Sequence, residues 1–270
     1  ATLTHTNTAL EAHLGARLLE RSTRRVEPTL DGDAYYERCL HLLAEIEDAE
    51  NAFRTVAPKG LLRVNLQGSL ARHFVIPALP AFMERFPDIE LAVSEADRFV
   101  DLVREGVDCV LRAGTLGDSS LTGRRVATLR QATCASAGYV QQYGQPDSLD
   151  DLAAHRAINY VSSTGRRYPF EFMVEGTQTD VEIGGRVTVS GAEVYTAAGL
   201  AGLGMIQVPR YRIAALLDAG TLIELLPQHP PPPMPVSVLY PQSRHMSPRV
   251  RVFVDWLTQV FADAKAAGTL

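Results

Sequence analysis

The spacing of hydrophobic residues divides the chain into two parts. Residues 2–15 and 33–57 repeat apolar positions at steps of three and four, which is the period of an α-helix. From residue 61 onward, short apolar runs alternate with helical stretches, a pattern typical of βαβ units and a parallel sheet. The sequence Pro58-Lys59-Gly60 separates the two parts and predicts a hinge, because proline and glycine end a helix.

The helix predicted over residues 33–57 carries an apolar stripe along its whole length. Seven residues share this face: Tyr36, Leu40, Leu43, Ile46, Ala49, Phe53 and Val56. The opposite face is acidic and polar, and the helix is about twice as long as an average globular helix. We predict that the stripe pairs with the same helix of a second subunit, because no adjacent helix in the sequence is available to cover it. Packing against its own domain is the alternative.

The second part contains enough strands for two α/β lobes. Strands are predicted over residues 62–66, 89–94, 107–111, 121–126, 131–135, 157–161, 170–174, 185–189, 205–208, 222–226 and 236–240. Helices are predicted over residues 68–86, 98–105, 191–202, 211–219 and 248–262. We expect lobe I to comprise residues 61–134 and 236–270 and lobe II residues 135–235, with crossings near residues 134–137 and near Pro235. Bacterial solute-binding proteins share this architecture, so the fold alone does not decide the function.

Charge is distributed unevenly along the chain. The net charge is −5, which excludes a general electrostatic attraction to nucleic acid. Residues 16–26, however, contain four arginines and a single acidic residue: Arg17, Arg21, Arg24 and Arg25 beside Glu20. A short basic segment next to a helix is what a module that reads a DNA groove needs, and a solvated surface turn is the alternative.

The remaining composition favours an ordinary soluble protein without a bound metal or cofactor. Hydrophobic residues make up 46% and charged residues 21% of the chain. The three cysteines, Cys39, Cys109 and Cys134, are too widely spaced for a zinc pattern and indicate reduced thiols in a cytoplasmic protein. No apolar run approaches the length of a membrane span, and the histidines lack metal-binding spacing.

Glycines at residues 199–204 superficially resemble a dinucleotide-binding motif. They end a predicted helix and precede a strand, which is the reverse of the order that pyrophosphate binding needs. We interpret them as residues that let a helix pack closely on a sheet. With no pair of nucleophile and base in the sequence, a small cytoplasmic enzyme is the less favoured hypothesis.

Residues 9–39, ALEAHLGARLLERSTRRVEPTLDGDAYYERC, resemble the LysR-type transcriptional regulators. The matching positions, in order, are Leu10-Glu11, Leu14-Gly15, Leu18-Leu19-Glu20-Arg21, Arg24-Arg25, and Thr29 with Gly32. Residues 240–257, YPQSRHMSPRVRVFVDWL, are similar to the C-terminal signature of the same family. The resemblance therefore covers nearly the whole chain.

The resemblance implies an α/β protein with three regions. Residues 1–32 would be part of a winged helix-turn-helix, residues 33–58 a linker helix for dimerisation, and residues 59–270 a two-lobed effector-binding domain like the periplasmic binding proteins. The family places two further helices before the segment that starts this chain. It also implies double-stranded operator DNA as a partner and a homodimer or homotetramer. The expected DNA-binding residues are Thr4, His5, Thr6, Arg21, Thr23, Arg24 and Arg25.

Ser69 is the leading candidate for an effector contact. It lies where a strand gives way to a helix, and the N–H groups at a helix N-terminus attract anions. The resemblance places an effector contact at this position, and plain N-capping is the alternative. Leu70 and Ile206 are expected to support a small apolar body of the ligand.

Other candidate effector residues follow predicted strands or begin helices. Arg112 ends one strand and is suited to bind a carboxylate, although a surface ion pair is the commoner role of an arginine. Asp97 and Arg98 begin the neighbouring helix. Ser162 and Ser163 follow a strand of lobe II, where a polar turn is the alternative, and Gln207 is expected to face the same cleft.

We therefore predict a DNA-binding transcriptional regulator of the LysR type that responds to a small anionic metabolite. The alternative is a solute-binding protein with the same two-lobed fold. The basic segment and the long amphipathic helix favour the regulator, because a solute-binding protein needs neither.

Overall fold

The computed structural model describes residues 2–21, 25–51, 57–95, 106–114, 121–162, 165–241 and 246–270. Its N-terminal part is a helix, a hairpin and a long helix. Helix α1 is Thr2–Leu14, strands β1 and β2 are Leu19–Arg21 and Val26–Pro28, and helix α2 is Leu30–Asn51. The two strands pair antiparallel. This order confirms the predicted helix, and the basic segment after it forms the hairpin. Helix α2 begins three residues earlier than predicted.

Hydrogen bonds made by the side chains of Glu11 and Thr29 hold this hairpin against the two helices. Both residues belong to the segment that resembles the LysR-type regulators. The Glu11 carboxylate accepts hydrogen bonds from the backbone N–H groups of Leu18, at 2.8 Å, and Leu19, at 3.0 Å. The Thr29 hydroxyl accepts from the Gly32 N–H at 2.9 Å, which caps α2. A Cβ atom on Gly32 would lie 2.9 Å from the carbonyl carbon of Leu18, so this close approach requires glycine.

A five-stranded mixed sheet forms the core of lobe I. Its strands are β3 (Gly60–Leu66), β4 (Ile89–Glu95), β5 (Cys109–Ala113), β6 (Leu121–Leu129) and β14 (Met234–Pro241), in the order β4-β3-β5-β14-β6. Strand β3 is parallel to β4 and β5, whereas β14 is antiparallel to β5 and β6. The expected parallel sheet is therefore found only in part, because the strand that returns from lobe II runs in the opposite direction.

The helices of lobe I cover this sheet. A continuous helical segment consists of α3 (Gly68–Leu70), a π-helical turn (Ala71–Val75) and α4 (Ile76–Arg85), and α8 (Pro248–Ala266) ends the chain. The core between them contains an aromatic cluster in which Phe82 lies 5.4 Å from Phe253 and 4.8 Å from Trp256, measured between ring centroids. The predicted helix over residues 98–105 lies outside the described residues.

Lobe II contains three smaller sheets. Strand β7 (Gln131–Ser136) lies between β12 (Ile206–Pro209) and β13 (Leu222–Leu225), antiparallel to both. Strands β8 (Ile158–Tyr160) and β11 (Val187–Val189) are parallel, and β9 (Phe170–Val174) and β10 (Thr177–Val181) form a hairpin. The helices are α5 (Ala137–Tyr143), a 3₁₀ helix (Asp150–Ala154), α6 (Ala192–Leu200) and α7 (Arg210–Asp218). The sequence pattern does not predict α5, the 3₁₀ helix or β10.

Two chain crossings connect the lobes. The first falls at Arg130, because β6 ends at Leu129 and β7 already pairs within lobe II; this is earlier than the crossing expected near residues 134–137. The second is the proline-rich segment before β14. The Gln131 side-chain amide donates to the Pro232 carbonyl at 2.7 Å, so the two crossings are joined directly.

The glycines at residues 199–204 serve close packing of helix on sheet, as their position between helix and strand predicts. A Cβ atom on Gly199 of α6 would lie 2.6 Å from Cδ1 of Ile206 on β12. Gly138 on α5 provides a contrast, because a Cβ atom there would meet nothing within 4 Å.

Alanine at these two helical glycines should change stability in opposite directions. Gly199→Ala should lower the free energy of unfolding by about 1–3 kcal/mol, because it overpacks the core of lobe II. Gly138→Ala should raise it by about 0.4–1 kcal/mol, because it restricts the unfolded chain without a clash. Urea unfolding followed by circular dichroism measures both, and a stabilising Gly199→Ala would contradict the described packing.

Candidate effector site and DNA-contacting surface

The candidate effector site lies at the carboxyl ends of β3, β4 and β5. Ligands of α/β proteins gather at this edge of a sheet. The Gln67 N–H donates to the Leu111 carbonyl at 3.1 Å, and the Ala113 N–H donates to Gln67 Oε1 at 2.8 Å. These two bonds attach the turn after β3 to the end of β5 and thereby fix the point at which the helical segment of residues 68–85 begins.

Arg112 is almost completely buried and ties these strand ends together. Its Nη1 donates to the Leu111 carbonyl at 2.9 Å and to the Asn65 carbonyl at 3.2 Å, and its Nη2 donates to Asn65 Oδ1. The Asn65 side-chain N–H group donates in turn to the Ser94 hydroxyl of β4 at 2.7 Å. The side chain predicted to bind a carboxylate is therefore part of a network that joins β3, β4 and β5.

Ser69 is the polar residue at the start of the helical segment. It is 7% exposed, its carbonyl oxygen lies 2.8 Å from Nδ1 of His73, and its hydroxyl makes no hydrogen bond to another described residue. Gln67 occupies the N-cap position but provides no side-chain cap for the helix. The N–H groups of the first turn and the Ser69 hydroxyl are therefore suited to bind an anion.

Glu95 at the end of β4 is a site residue that the sequence analysis does not single out. Its side chain folds over Gly68, where a Cβ atom would lie only 2.6 Å from the Glu95 carboxyl carbon. The carboxylate of Glu95 thus lies beside the first residue of the helical segment. The signal available in the sequence is its position at the end of a predicted strand, at the same edge of the sheet as Ser69.

Leu70 and Ile206, expected to support the ligand, do not offer it any surface. Both are fully buried, Leu70 in the core of lobe I and Ile206 in that of lobe II. Each lies on the face of its element that packs inward, so in this arrangement of the lobes their role in supporting a ligand stays a prediction.

Gln207 and Ser162 are engaged in structural hydrogen bonds. The Gln207 amide donates to the Thr133 hydroxyl and to the Glu171 carbonyl, both at 2.9 Å, and accepts from the Glu171 N–H at 2.9 Å, so it joins β12 to β7 and β9. The Ser162 hydroxyl accepts from the Arg166 N–H at 3.2 Å within a turn. Asp97, Arg98 and Ser163 lie outside the described residues, so their roles stay predictions.

A tyrosine cluster lies at the carboxyl end of β8 in lobe II. The Tyr160 ring centroid is 5.1 Å from that of Tyr195 and 6.0 Å from that of Tyr168. Tyr195 is buried, and desolvation raises its pKa, whereas Tyr168 is half exposed. Because the three tyrosines come from distant parts of the sequence, their spacing alone does not predict the cluster.

The π-helical turn that follows Ser69 contacts the helices of lobe II. The Tyr211 ring of α7 lies 4.8 Å from the Phe74 ring and 5.1 Å from the His73 ring, centroid to centroid. Arg72 lies 3.9 Å from the Glu193 carboxylate of α6, which also pairs with Arg212 at 3.2 Å. The segment that begins at the candidate effector site therefore forms a direct contact between the lobes.

The expected DNA-binding residues lie on the surface of the N-terminal part. Thr4, His5 and Thr6 are exposed on α1. The Arg25 side chain is 80% exposed at the hairpin and lies 3.4 Å from the Glu27 carboxylate. Thr23 and Arg24 lie outside the described residues, and of Arg21 only the backbone in β1 is described.

Three large side chains of the apolar stripe on α2 are exposed to solvent in the single chain. Leu43 is 62% and Ile46 57% exposed, and Tyr36 is similarly open to solvent. Phe53 and Val56, which continue the predicted stripe, lie outside the described residues. Large aliphatic side chains exposed in a row on one helix face indicate a surface that a partner covers.

The described residues provide no metal cluster, and two of the cysteines are not activated as nucleophiles. No group of three or more His, Cys, Asp or Glu side chains among them could hold a metal ion. Burial raises the pKa of the Cys134 thiol to about 12 and also raises that of Cys109, so both thiols stay protonated at neutral pH. Within the same residues, no helix is both long enough and apolar enough to cross a membrane.

Comparison with known proteins decides the family. The family model described as the LysR substrate binding domain matches residues 56–262. The chain belongs to the LysR-type transcriptional regulators. It is 39% identical over 260 residues to the HTH-type transcriptional regulator YhjC of Escherichia coli K12, a match that covers 94% of this chain and 86% of that protein. It is 37% identical to an HTH-type transcriptional repressor of Pseudomonas aeruginosa, over 94% of this chain and 81% of that one.

A solved structure of the family supports the same assignment. The LysR-type regulator CrgA of Neisseria meningitidis superposes with a TM-score of 0.65 at 28% identity, over 96% of this chain and 89% of that chain. LysR-type regulators bind DNA and small-molecule effectors and form oligomers. The protein is thus a transcriptional regulator and not an enzyme, which confirms the predicted class of protein over both alternatives.

Removal of the Arg112 side chain should destabilise lobe I far more than removal of an exposed arginine on the same sheet. Arg112→Ala should lower the free energy of unfolding by about 1.5–3 kcal/mol for each buried oxygen that loses its hydrogen bond from the guanidinium. The control is Arg124→Ala, whose exposed ion pair with Asp255 at 2.6 Å should contribute about 0–1 kcal/mol. Urea unfolding measures both, and equal losses would mean that the network at the strand ends is not structural.

Proposed function

We propose that this LysR-type regulator binds operator DNA in the cytoplasm as a homodimer or homotetramer and responds to a small anion that binds at Ser69. The observation that carries the proposal is the position of Ser69 at the uncapped start of the helical segment, where its hydroxyl makes no hydrogen bond to another described residue. Such an arrangement stabilises a carboxylate or phosphate group through the helix N-terminus and one charge-assisted hydrogen bond.

The effector would act through the contact between the lobes. Ser69 is linked to His73 by a hydrogen bond within one helical turn, and His73 and Phe74 pack on Tyr211 of lobe II. An anion that shifts the start of the helical segment would thereby change the packing between the lobes. A ligand shifts such an equilibrium only by its difference in affinity for the two arrangements.

The N-terminal part would read DNA through α1 and hold the phosphates through the hairpin. The side chains of Thr4 and His5 are exposed and would contact the edges of DNA bases. The exposed Arg25 would contact the phosphate backbone of the DNA. Because Glu11 and Thr29 attach the hairpin to both helices, the backbone of the hairpin has a defined position relative to α1.

The exposed stripe of α2 would form the dimer. We expect the double substitution of Leu43 and Ile46 by aspartate to convert the dimer to monomers, because it places charges in an apolar helix interface. Size-exclusion chromatography with light scattering measures the change. The control is Leu203→Asp, which charges another half-exposed leucine away from α2. An unchanged oligomer in the α2 variant would mean that another surface forms it.

Arg25 should contribute to DNA affinity through phosphate neutralisation. Arg25→Ala should reduce the slope of log affinity against log salt by about 0.9 for each subunit that contacts DNA, whereas Thr4→Ala or His5→Ala should alter the preference among operator sequences. Fluorescence anisotropy with labelled operator DNA at several salt concentrations measures both. Arg186→Ala, an exposed arginine of lobe II, is the control, and a slope unaffected by Arg25→Ala would remove Arg25 from the interface.

Ser69→Ala should weaken the effector response without changing operator binding. The loss should be about 1.5–3 kcal/mol of effector affinity, the value of a hydrogen bond to a charged group. Anisotropy of operator DNA titrated with a panel of small carboxylates measures it, and Ser69→Thr should retain the response because it keeps a hydroxyl. If Ser69→Ala responds like the original chain, the effector binds elsewhere.

A further inference from the structure

The first crossing between the lobes is a single residue, Arg130. Leu129 before it pairs with Met234 of β14 in lobe I, and Gln131 after it pairs with Pro209 of β12 in lobe II. Hinge motion is absorbed by the few residues that lie between rigid elements. A change in the angle between the lobes therefore has to rotate the backbone at Arg130.

The second crossing is a stiff segment of prolines. Lobe II holds it up to Pro230, whose carbonyl accepts a hydrogen bond from the Met173 N–H of β9 at 2.9 Å. Lobe I holds it from Met234, where β14 begins. Residues 231–233 between these points are all proline, which fixes φ and supplies no backbone N–H. The two crossings therefore cannot exchange the paired backbone hydrogen bonds of an antiparallel ladder.

The side chain of Gln131 supplies a link between the crossings in place of that ladder. It is half-buried, and its amide donates to the Pro232 carbonyl at 2.7 Å. Gln131 belongs to β7 of lobe II, whereas Pro232 lies two residues before β14 of lobe I. Because the two residues follow different lobes, a rotation of one lobe on the other stretches this hydrogen bond.

Arg130 connects the crossing to helices of both lobes. Its carbonyl accepts a hydrogen bond from the Arg210 N–H at 2.8 Å, where α7 of lobe II begins. The next residue, Tyr211, packs on Phe74 of lobe I with 4.8 Å between the ring centroids. The Arg130 Nε donates to the main-chain oxygen of Leu270, which follows α8 of lobe I, at 2.9 Å. A movement at the crossing therefore reaches the contact between the lobes.

We propose that Gln131 is a hinge clasp. Its hydrogen bond to Pro232 holds the two crossings together in the described arrangement of the lobes, and the lobes change their angle when this bond breaks. The proposal goes beyond the function proposed above, because it holds wherever the effector binds. A neutral hydrogen bond biases such an equilibrium by about two- to tenfold. An effector with a modest difference in affinity for the two arrangements can overcome this bias, so the clasp sets the resting arrangement without locking it.

The test is hydrogen–deuterium exchange of the full chain, resolved to single amides. Gln131→Met keeps the length of the side chain and removes the donor. The exchange rates of the Arg210 and Met173 N–H groups should rise about two- to tenfold, because each is bonded to one of the two crossings that the clasp holds. Gln228→Met is the matched control. The Gln228 amide also donates to a backbone carbonyl, that of Asp147 at 3.3 Å, but both residues belong to lobe II, so this variant should leave the two rates unchanged.

A second variant and an internal reference complete the experiment. Gln131→Glu replaces the donor with a carboxylate oxygen that repels the Pro232 carbonyl, so it should accelerate exchange at Arg210 and Met173 more than Gln131→Met does. The Ile158 N–H donates to the Met205 carbonyl at 3.0 Å inside lobe II, and its rate should be the same in every variant.

Two results would overturn the proposal. If the rate at Arg210 or at Met173 is unchanged in both Gln131 variants, the side chain does not hold the two crossings together. If the rate at Ile158 rises as much as the rates at Arg210 and Met173, Gln131 stabilises the whole of lobe II and is not a clasp of the hinge.

Discussion

The buried guanidinium of Arg112 is the interaction on which the arrangement of the candidate site depends. It joins the ends of β5 and β3 through the Leu111 and Asn65 carbonyls and the Asn65 side chain, and Asn65 extends the link to Ser94 of β4. Because the ends of these parallel strands are fixed, the helical segment begins at a defined point beside them. The N–H groups at that point are the ones that we propose bind the effector anion.

A short path leads from this site to the rest of the regulator. His73 lies four positions after Ser69 and packs with Phe74 against Tyr211 of lobe II. The crossings between the lobes are tied to each other by Gln131 and Pro232, so the lobes are restrained at their crossings as well as at this contact. A change at Ser69 would therefore alter how the lobes pack, and an oligomer could transmit that change to the spacing of its DNA-binding parts.

The sequence predicted local structure well and long-range contacts poorly. The spacing of hydrophobic residues and the turn-forming residues predicted α1, the basic segment of the hairpin, α2 and most strands. The predicted change from strand to helix singled out Ser69. Leu70 and Ile206 pack into the cores of their lobes, which residue type alone does not predict because it does not show which side of an element packs inward. The bonds of Gln207 to Thr133 and Glu171 span 74 and 36 residues, and no local pattern encodes them. Glu95 was overlooked for the same reason, since its contact with Gly68 appears only when β4 lies beside β3.

A crystal structure of the full chain grown in phosphate tests the central claim most directly. The account predicts phosphate within hydrogen-bond distance of the Ser69 hydroxyl and of the N–H groups at the start of the helical segment. The Arg112 network should be unchanged. Phosphate bound only at another place in the chain would contradict the account.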